Sequence, residues 1–290
     1  MVTISQLYLE AKNRLRITED EETAGLMARN LLCYATGESY ETLLAMGQSK
    51  VSDKAYDTMQ RALYRAQTGE PLAYIIGEWD FYGMTLQVTK DVLIPRDDTC
   101  AVVGLAINQA LYLKESPRIL DLCTGSGCIG LAIATRVKDA RVTLADISRE
   151  AIAVARRNIS SQKLSSRVSC VSVDALQVPP AFLGKFDMIV SNPPYITTEE
   201  MQQLPKSVKN FEPELALHGG DDGLVFYRAI ARNYYNVIKP GGYLCFEFGM
   251  GQGDDVCRIL ETNGYTILER TRDYNDIERA VIAQTARKEF

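Results

Sequence analysis

A chain of 290 residues is long enough for one large domain or two smaller ones, and it can bury a substantial core. Hydrophobic residues make up 46% and charged residues 24% of it, as in an ordinary soluble globular protein. The net charge is −5, so the chain lacks the basic excess of proteins that grip nucleic-acid phosphates.

The cysteine and histidine content narrows the chemistry further. The seven cysteines include no CxxC pair, so we expect neither a disulfide scaffold nor a metal site. The single histidine, His218, argues against a His-based catalytic triad. No apolar run approaches the roughly 18 residues of a membrane span. The first residues also lack a signal-peptide pattern, and we therefore expect a cytoplasmic protein.

Residues 1–75 predict a small helical domain. Thr18–Glu21 fits a capping box that opens a helix continuing to Leu32. Ser52 is placed to cap a further helix, which Gly69 ends. One face of that helix is apolar and consists of Ala55, Met59, Ala62 and Ala66. We assign the apolar faces of these helices to packing, and we expect the domain to recognise a substrate.

Residues 76–98 predict a linker that contains a short β-hairpin, because the segment FYGMTLQV alternates around Gly83. From residue 99 to residue 290 strand and helix patterns alternate, which indicates a mostly parallel sheet covered by helices on both faces. The strands are predicted at 118–122, 142–146, 168–173, 186–190 and 242–248, with two closely spaced strands at 265–269 and 279–282. The last two predict an antiparallel hairpin at the edge of the sheet.

A glycine loop, DLCTGSGCIG at residues 121–130, follows the first of these strands. Glycines let the backbone turn sharply and approach a ligand, and the next helix offers free N–H groups. Asp146 ends the second strand, where a carboxylate can accept hydrogen bonds from both hydroxyls of a ribose. Because the loop also approximates the dinucleotide fingerprint, it fits an NAD enzyme as well as a methyltransferase.

Two acidic residues favour the methyltransferase. Asp121 lies inside a buried strand, which is unusual unless it supports the loop or faces a cationic ligand. S-adenosylmethionine carries both a sulfonium and an ammonium group. Asp174, followed by Ala175, ends the third strand and is placed to meet an adenine.

Four residues after the fourth strand, Asn192-Pro193-Pro194-Tyr195, indicate the reaction. Two successive prolines end the strand and fix φ twice, and the residue before a proline is held extended. The result is a stiff loop rich in hydrogen-bond acceptors, beside an aromatic ring. Such a loop suits an NH2 group that is held by its two hydrogens while its lone pair stays free.

In combination with the glycine loop, this motif resembles the S-adenosylmethionine-dependent amino methyltransferases. The similarity extends to the release-factor glutamine methyltransferases, the HemK/PrmC family, over nearly the whole chain. The supporting segments are EPLAYIIG at 70–77, VLIPR at 92–96, FEPELAL at 211–217, GGDDG at 219–223 and KPGG at 239–242. Departures from the family pattern occur at Asp97, Cys100, Cys123, Ala175 and His218.

The resemblance implies a class I, Rossmann-like methyltransferase domain with a seven-stranded sheet. It implies methyl transfer to the side-chain N5 of the glutamine in the Gly-Gly-Gln motif of peptide chain release factors. Asn192, Pro193, Pro194 and Tyr195 would be catalytic and, with Arg96, bind the substrate. The cofactor residues would be Asp121, Cys123, Thr124, Gly125, Ser126, Gly127, Asp146, Ile147, Asp174, Ala175 and Asn192. We expect a monomer that contacts no nucleic acid directly and no membrane.

Three alternatives remain open on the sequence. Glutamine methylation of a ribosomal protein uses the same chemistry. Methylation of an exocyclic amine such as adenine N6 uses similar loops, but the first 85 residues hold 8 Lys and Arg against 12 Asp and Glu. An NAD(P)-dependent oxidoreductase explains the glycine loop and leaves the residues from Asn192 to Tyr195 without a role.

Overall fold

The computed structural model describes residues 2–113 and 116–287. These residues form two compact units, one comprising the described residues up to 78 together with 205–211, and the other the described residues of 79–204 and from 212 onwards. The helices are α1 (Ile4–Leu15), α2 (Glu21–Thr36), α3 (Tyr40–Ala45), α4 (Asp53–Gln67), α5 (Leu72–Ile76), α6 (Cys100–Ala110), α7 (Cys128–Arg136), α8 (Arg149–Ser161), α9 (Glu200–Gln203), α10 (Lys206–Lys209), α11 (Val225–Asn233) and α12 (Gly253–Thr262). None of these described helices is long and apolar enough to cross a membrane.

The part of the chain that the structure describes contains nine strands, which form two sheets. Their bounds are β1 (Glu78–Phe81), β2 (Met84–Gln87), β3 (Arg118–Leu122), β4 (Arg141–Asp146), β5 (Val168–Ser172), β6 (Phe186–Ser191), β7 (Ile238–Glu247), β8 (Tyr265–Arg272) and β9 (Glu278–Thr285). The first two make a hairpin, and the other seven make one sheet in the order β5-β4-β3-β6-β7-β9-β8. The predicted seven-stranded, mostly parallel sheet with an antiparallel C-terminal hairpin is therefore confirmed.

The first unit has a helical core built from α1, α2 and α4. The prediction for α4 is confirmed, because Ser52 caps it and the four predicted apolar residues are buried. The predicted cap of α2 is wrong. Asp20, and not Thr18, is the N-cap residue, and its carboxylate accepts hydrogen bonds from the N–H groups of Glu22 and Thr23. A carboxylate at a helix N-terminus also interacts favourably with the helix dipole.

The hairpin of the second unit turns at Tyr82 and Gly83, which have φ angles of 50° and 78°. Two successive residues with positive φ are typical of the tight hairpin turn whose twist matches the flanking strands. The predicted hairpin around Gly83 is thus confirmed. The segment 92–96 that follows has no regular secondary structure.

The large sheet buries an apolar cluster on each of its two faces. Strands β3 and β6 lie side by side in parallel at its centre, with Leu122 opposite Ser191. From β3 the chain continues to β4 on one side, whereas β6 continues to β7 on the other. Ligands bind at such a switch in strand order, outside the carboxyl ends of the strands.

Candidate active site

A cleft with a cavity volume of about 190 Å³ lies at the carboxyl ends of β3, β4, β5 and β6. Most of the residues predicted for cofactor and substrate binding form its wall. They are Arg96, Cys123, Thr124, Gly125, Ser126, Asp146, Ile147, Asp174, Ala175, Asn192 and Pro194. Residues that are far apart in the sequence therefore meet in one cavity.

Four predicted site residues lie outside the wall of this cavity. Asp121 is fully buried in β3, below the glycine loop. Gly127 caps α7, with a φ of 87° that only glycine adopts readily. Pro193 is buried. The carbonyl of Tyr195 accepts a hydrogen bond of 3.0 Å from the Gln252 side chain, and this bond holds the end of the loop.

Asp121 organises the glycine loop. Its Oδ2 accepts hydrogen bonds from the Thr124 hydroxyl at 2.6 Å and from the Gly130 N–H at 2.9 Å. Desolvation by burial raises the pKa of Asp121 to about 7. Its second oxygen, Oδ1, and the hydroxyl of Ser126 are buried without a hydrogen-bond partner among the described residues. Buried polar atoms without partners are rare and require an explanation.

Asp146 at the end of β4 connects two loops. Its Oδ2 accepts a hydrogen bond from Gly125 N–H and its Oδ1 accepts one from Ser148 N–H, both at 2.9 Å. Burial raises its pKa above the usual value for an aspartate. Each carboxylate oxygen has two lone pairs, so both atoms can accept one further hydrogen bond from a ligand in the cavity.

Asn192 follows β6 and lies in the cavity wall. Its side-chain nitrogen, Nδ2, is 3.4 Å from the hydroxyl oxygen of Thr99 and donates to it. The nitrogen end of the amide is thus directed towards Thr99, and Oδ1 is left as the acceptor. The loop is fixed at its start by Ser191, whose hydroxyl donates a 2.6 Å hydrogen bond to the carbonyl of Leu122 in β3.

Arg96 was predicted from the resemblance to bind substrate, and it lies in the cavity wall. Its guanidinium is also ion-paired to the carboxylate of Glu212, which is almost completely buried and accepts a hydrogen bond from Ile94 N–H. The segment after Glu212 contributes Pro213, Leu215 and Ala216 to the wall. The pair therefore joins two segments that border the cavity.

Sequence reasoning missed Thr99 and Glu247. Thr99 lies in the cavity wall and is only 2% exposed. Glu247, the last residue of β7, is 1% exposed, and Asn192 and Thr99 lie near enough to its carboxyl group to lower its pKa. The signal that could have found Glu247 is an acidic residue in an apolar strand, the same signal that singled out Asp121.

Two protein-family models match the chain. The model described as "Methyltransferase small domain" covers residues 105–211, and "PrmC N-terminal domain" covers residues 6–77. A release factor glutamine methyltransferase from Clostridium acetobutylicum is 41% identical over 73% of this chain and 74% of its own length. The chain belongs to the release factor glutamine methyltransferase family.

Other members of the family differ in length. The release factor glutamine methyltransferase of Chlorobaculum tepidum is 36% identical over 88% of both chains. A "Bifunctional methyltransferase" of Rickettsia felis is 33% identical over 97% of this chain, which spans 58% of that longer relative. The similarity in both cases covers the helical N-terminal part as well as the sheet.

Two solved structures share the fold at low sequence identity. The hMettl16 catalytic domain in complex with MAT2A 3'UTR hairpin 6 is 13% identical, with a TM-score of 0.56 over 82% of this chain and 83% of that one. A methyltransferase from Pyrococcus furiosus is 17% identical, with a TM-score of 0.50 over 79% and 98%. These two likenesses support the fold alone.

Proposed function

We propose that this protein transfers a methyl group from S-adenosylmethionine to the side-chain nitrogen N5 of the glutamine in the Gly-Gly-Gln motif of peptide chain release factors. Family membership supports both the reaction and the class of substrate. The observation that carries the proposal is the orientation of Asn192, whose amide nitrogen faces Thr99 and whose oxygen is free to accept.

The residues of the cavity fit S-adenosylmethionine. Asp146 has lone pairs for the two ribose hydroxyls. The buried hydroxyl of Ser126 lies in the cavity wall without a partner, and a polar ligand at the glycine loop explains it. Asp174 and the buried Ala175 border the part of the cavity that we assign to adenine. When bound, the sulfonium supplies an already activated methyl group.

The loop from Asn192 to Tyr195 positions the acceptor nitrogen. A carboxamide nitrogen is a poor nucleophile because its lone pair is delocalised into the carbonyl. We infer that Oδ1 of Asn192 and the main-chain carbonyl of Pro193 each accept one N–H of the glutamine side chain. That arrangement fixes the amide and directs the lone pair at the methyl group. Such positioning can lower the activation free energy by several kcal/mol.

Tyr195 holds this loop in place. We further predict that its ring packs against the plane of the substrate amide. Its ring contacts the apolar cluster on one face of the sheet. Burial raises the pKa of its hydroxyl well above the usual value, so the phenol stays neutral near pH 7. Tyr195 therefore does not act as a base.

Replacement of Asp146 by alanine is expected to weaken binding of S-adenosylhomocysteine by about 10- to 100-fold, because hydrogen bonds to a charged group contribute roughly 1.5 to 3 kcal/mol each. Isothermal titration calorimetry measures this directly. Asp222→Ala is the matched control, because Asp222 is an exposed carboxylate paired with Arg228. An affinity of Asp146→Ala equal to that of the control would remove Asp146 from the ribose role.

Mass spectrometry tests the proposed substrate. After incubation with S-adenosylmethionine and an unmodified release factor, a single added methyl is expected on the glutamine of the Gly-Gly-Gln peptide. Product on a ribosomal protein or on DNA, with none on that peptide, would contradict the proposal. A thermal shift with S-adenosylhomocysteine and none with NAD is expected, which separates the methyltransferase from an oxidoreductase.

We further infer that residues 1–75 form the recognition domain for the release factor, residues 76–98 a linker and residues 99–290 the methyltransferase domain. We infer a cytoplasmic monomer, because release factors act in the cytoplasm and one chain holds all the residues of the cavity. Sedimentation of the purified protein at micromolar concentration measures the oligomeric state.

A further inference from the structure

Glu247 lies beside Asn192 because of the strand register. Strands β6 and β7 pair in parallel with Ser191 opposite Phe246. The residues that follow these two in the chain, Asn192 and Glu247, are therefore neighbours. Glu247 is 1% exposed, and its Oε2 is buried without a hydrogen-bond partner among the described residues. A carboxylate in this position is costly to bury.

The amide nitrogen of Asn192 has two hydrogens, and the Thr99 hydroxyl and the Glu247 carboxyl are both near it. It donates to the Thr99 hydroxyl oxygen at 3.4 Å, and the proximity of the Asn192 amide to Glu247 lowers the pKa of that carboxyl. The Thr99 hydroxyl makes no capping bond with α6, and its proximity to the Glu247 carboxyl also lowers the pKa of that group. An ionised carboxylate only accepts hydrogen bonds, so the nitrogen end of the amide must face Glu247.

Resting on the proposed function, we propose that Glu247 is a positioning residue for methyl transfer. Its carboxylate holds Nδ2 of Asn192 and thereby presents Oδ1 to the amide nitrogen of the substrate. A hydrogen bond to an ionised acceptor is about twice as strong as a neutral one. It also draws electron density through the Asn192 amide towards Oδ1, which strengthens the bond that Oδ1 accepts from the substrate.

The charge state of Glu247 then controls turnover. Desolvation raises its pKa to about 7, and the negative charge of Asp98 adds to this, whereas the hydrogen bond from Thr99 and the positive charge of Arg279 oppose it. Arg279 is itself shared between Asp98 and Asp273, each at 2.9 Å. The other titratable groups that face Glu247 are Tyr195, Tyr227, Cys100 and Cys128, whose raised pKa values keep them neutral near pH 7.

The sign of the pH effect follows. Below about pH 7 the carboxyl of Glu247 is protonated, and a protonated carboxyl group presents an O–H donor where Asn192 needs an acceptor. As the pH rises through about 7 the carboxylate forms, and kcat measured with saturating cofactor and release factor rises with it. The same ionisation leaves the affinity for S-adenosylhomocysteine unchanged, because Glu247 is not part of the cavity wall.

The test is Glu247→Gln, which keeps the shape and removes the charge. We expect kcat at pH 8 to fall about 10- to 100-fold, the step in kcat near pH 7 to disappear, and KM and cofactor affinity to stay within about twofold. Asp121→Asn is the matched control, because Asp121 is also fully buried with a pKa of about 7. That variant should weaken cofactor binding and keep the step in kcat. A wild-type pH profile in Glu247→Gln, or parallel losses of kcat and cofactor affinity, would overturn the inference.

Two further measurements test which carboxyl group titrates and whether the Thr99 hydroxyl is needed. Infrared spectra of the cofactor-free protein should show buried carboxyl C=O absorption that titrates near pH 7 and comes from both Asp121 and Glu247. Part of this absorption should be lost in Glu247→Gln and a different part in Asp121→Asn; an unchanged titrating band in Glu247→Gln would contradict the assignment. Thr99→Ser should retain turnover and Thr99→Val should lose it, because only the first keeps the hydroxyl. If wild-type protein leaves the release factor unmodified, the proposed function fails, whatever the Glu247 variant does.

Discussion

Replacing Asn192 by alanine is expected to lower kcat by about 100- to 1,000-fold, the size of effect seen when one pre-organised hydrogen-bonding group is removed from an active site. The substitution deletes the Oδ1 acceptor and leaves the cavity wall otherwise intact, because the cofactor loop is held by Asp121 and Asp146. Cofactor affinity should therefore stay within a fewfold of wild type. Single-turnover methylation of the release factor, with calorimetry for S-adenosylhomocysteine, measures both quantities.

The comparison of the two quantities decides the role of Asn192. Equal losses of turnover and cofactor affinity would mean that Asn192 is a cofactor ligand or a structural residue. Retained turnover would leave the loop without a catalytic function. Thermal unfolding of the variant controls for folding, since the Asn192 side chain is only half-buried and its hydrogen bond to Thr99 is long.

Gly219→Ala is expected to reduce turnover by about 100-fold, although Gly219 touches neither cofactor nor substrate in the proposed mechanism. A methyl group at this position would lie 2.7 Å from Cα of Tyr195 and 2.8 Å from the carbonyl oxygen of Pro194. Both are backbone atoms of the catalytic loop, so the loop itself must move. The strain should also lower the free energy of unfolding by about 1 to 3 kcal/mol, which urea denaturation measures.

Gly104→Ala provides the matched control for this prediction. Gly104 lies inside α6 and does not have a positive φ, and apart from its chain neighbours and the backbone of its own helix no heavy atom lies within 4 Å of the added methyl. The substitution should stabilise the protein by about 0.5 to 1 kcal/mol, because alanine favours helix more than glycine does. Turnover should not change. If Gly219→Ala behaved like Gly104→Ala, the loop would be less tightly packed against Gly219 than the structure indicates.

Much of the fold could be predicted because its signals are local. The strand Phe186–Ser191 is a short apolar run, and Gly69 follows a helix with a regular apolar face. Element ends were less certain, since β7 begins at Ile238 and not near residue 242. The N-cap of α2 was misplaced because Thr18 and Asp20 both fit a cap pattern, and only the backbone geometry distinguishes them.

The residues of the cavity likewise include some that the sequence could place and some that it could not. The wall residues from Cys123 to Asn192 follow strands directly, so the sequence could place them at one edge of a parallel sheet. Glu247 and Thr99 could not be linked to Asn192 in this way. Their proximity depends on which strand lies next to β6 and in which register, and on where α6 begins. These are non-local properties of the folded sheet, and a single sequence does not encode them as a pattern.

A structure of the protein with S-adenosylhomocysteine and a Gly-Gly-Gln peptide tests the central claim most directly. The glutamine side-chain nitrogen should lie about 2.9 Å from both Oδ1 of Asn192 and the carbonyl oxygen of Pro193, the usual N–H···O distance. It should also face the sulfur atom that carries the methyl group in the reactive cofactor. A glutamine amide bound elsewhere in the cavity, or held by its oxygen and not by its nitrogen, would contradict the account.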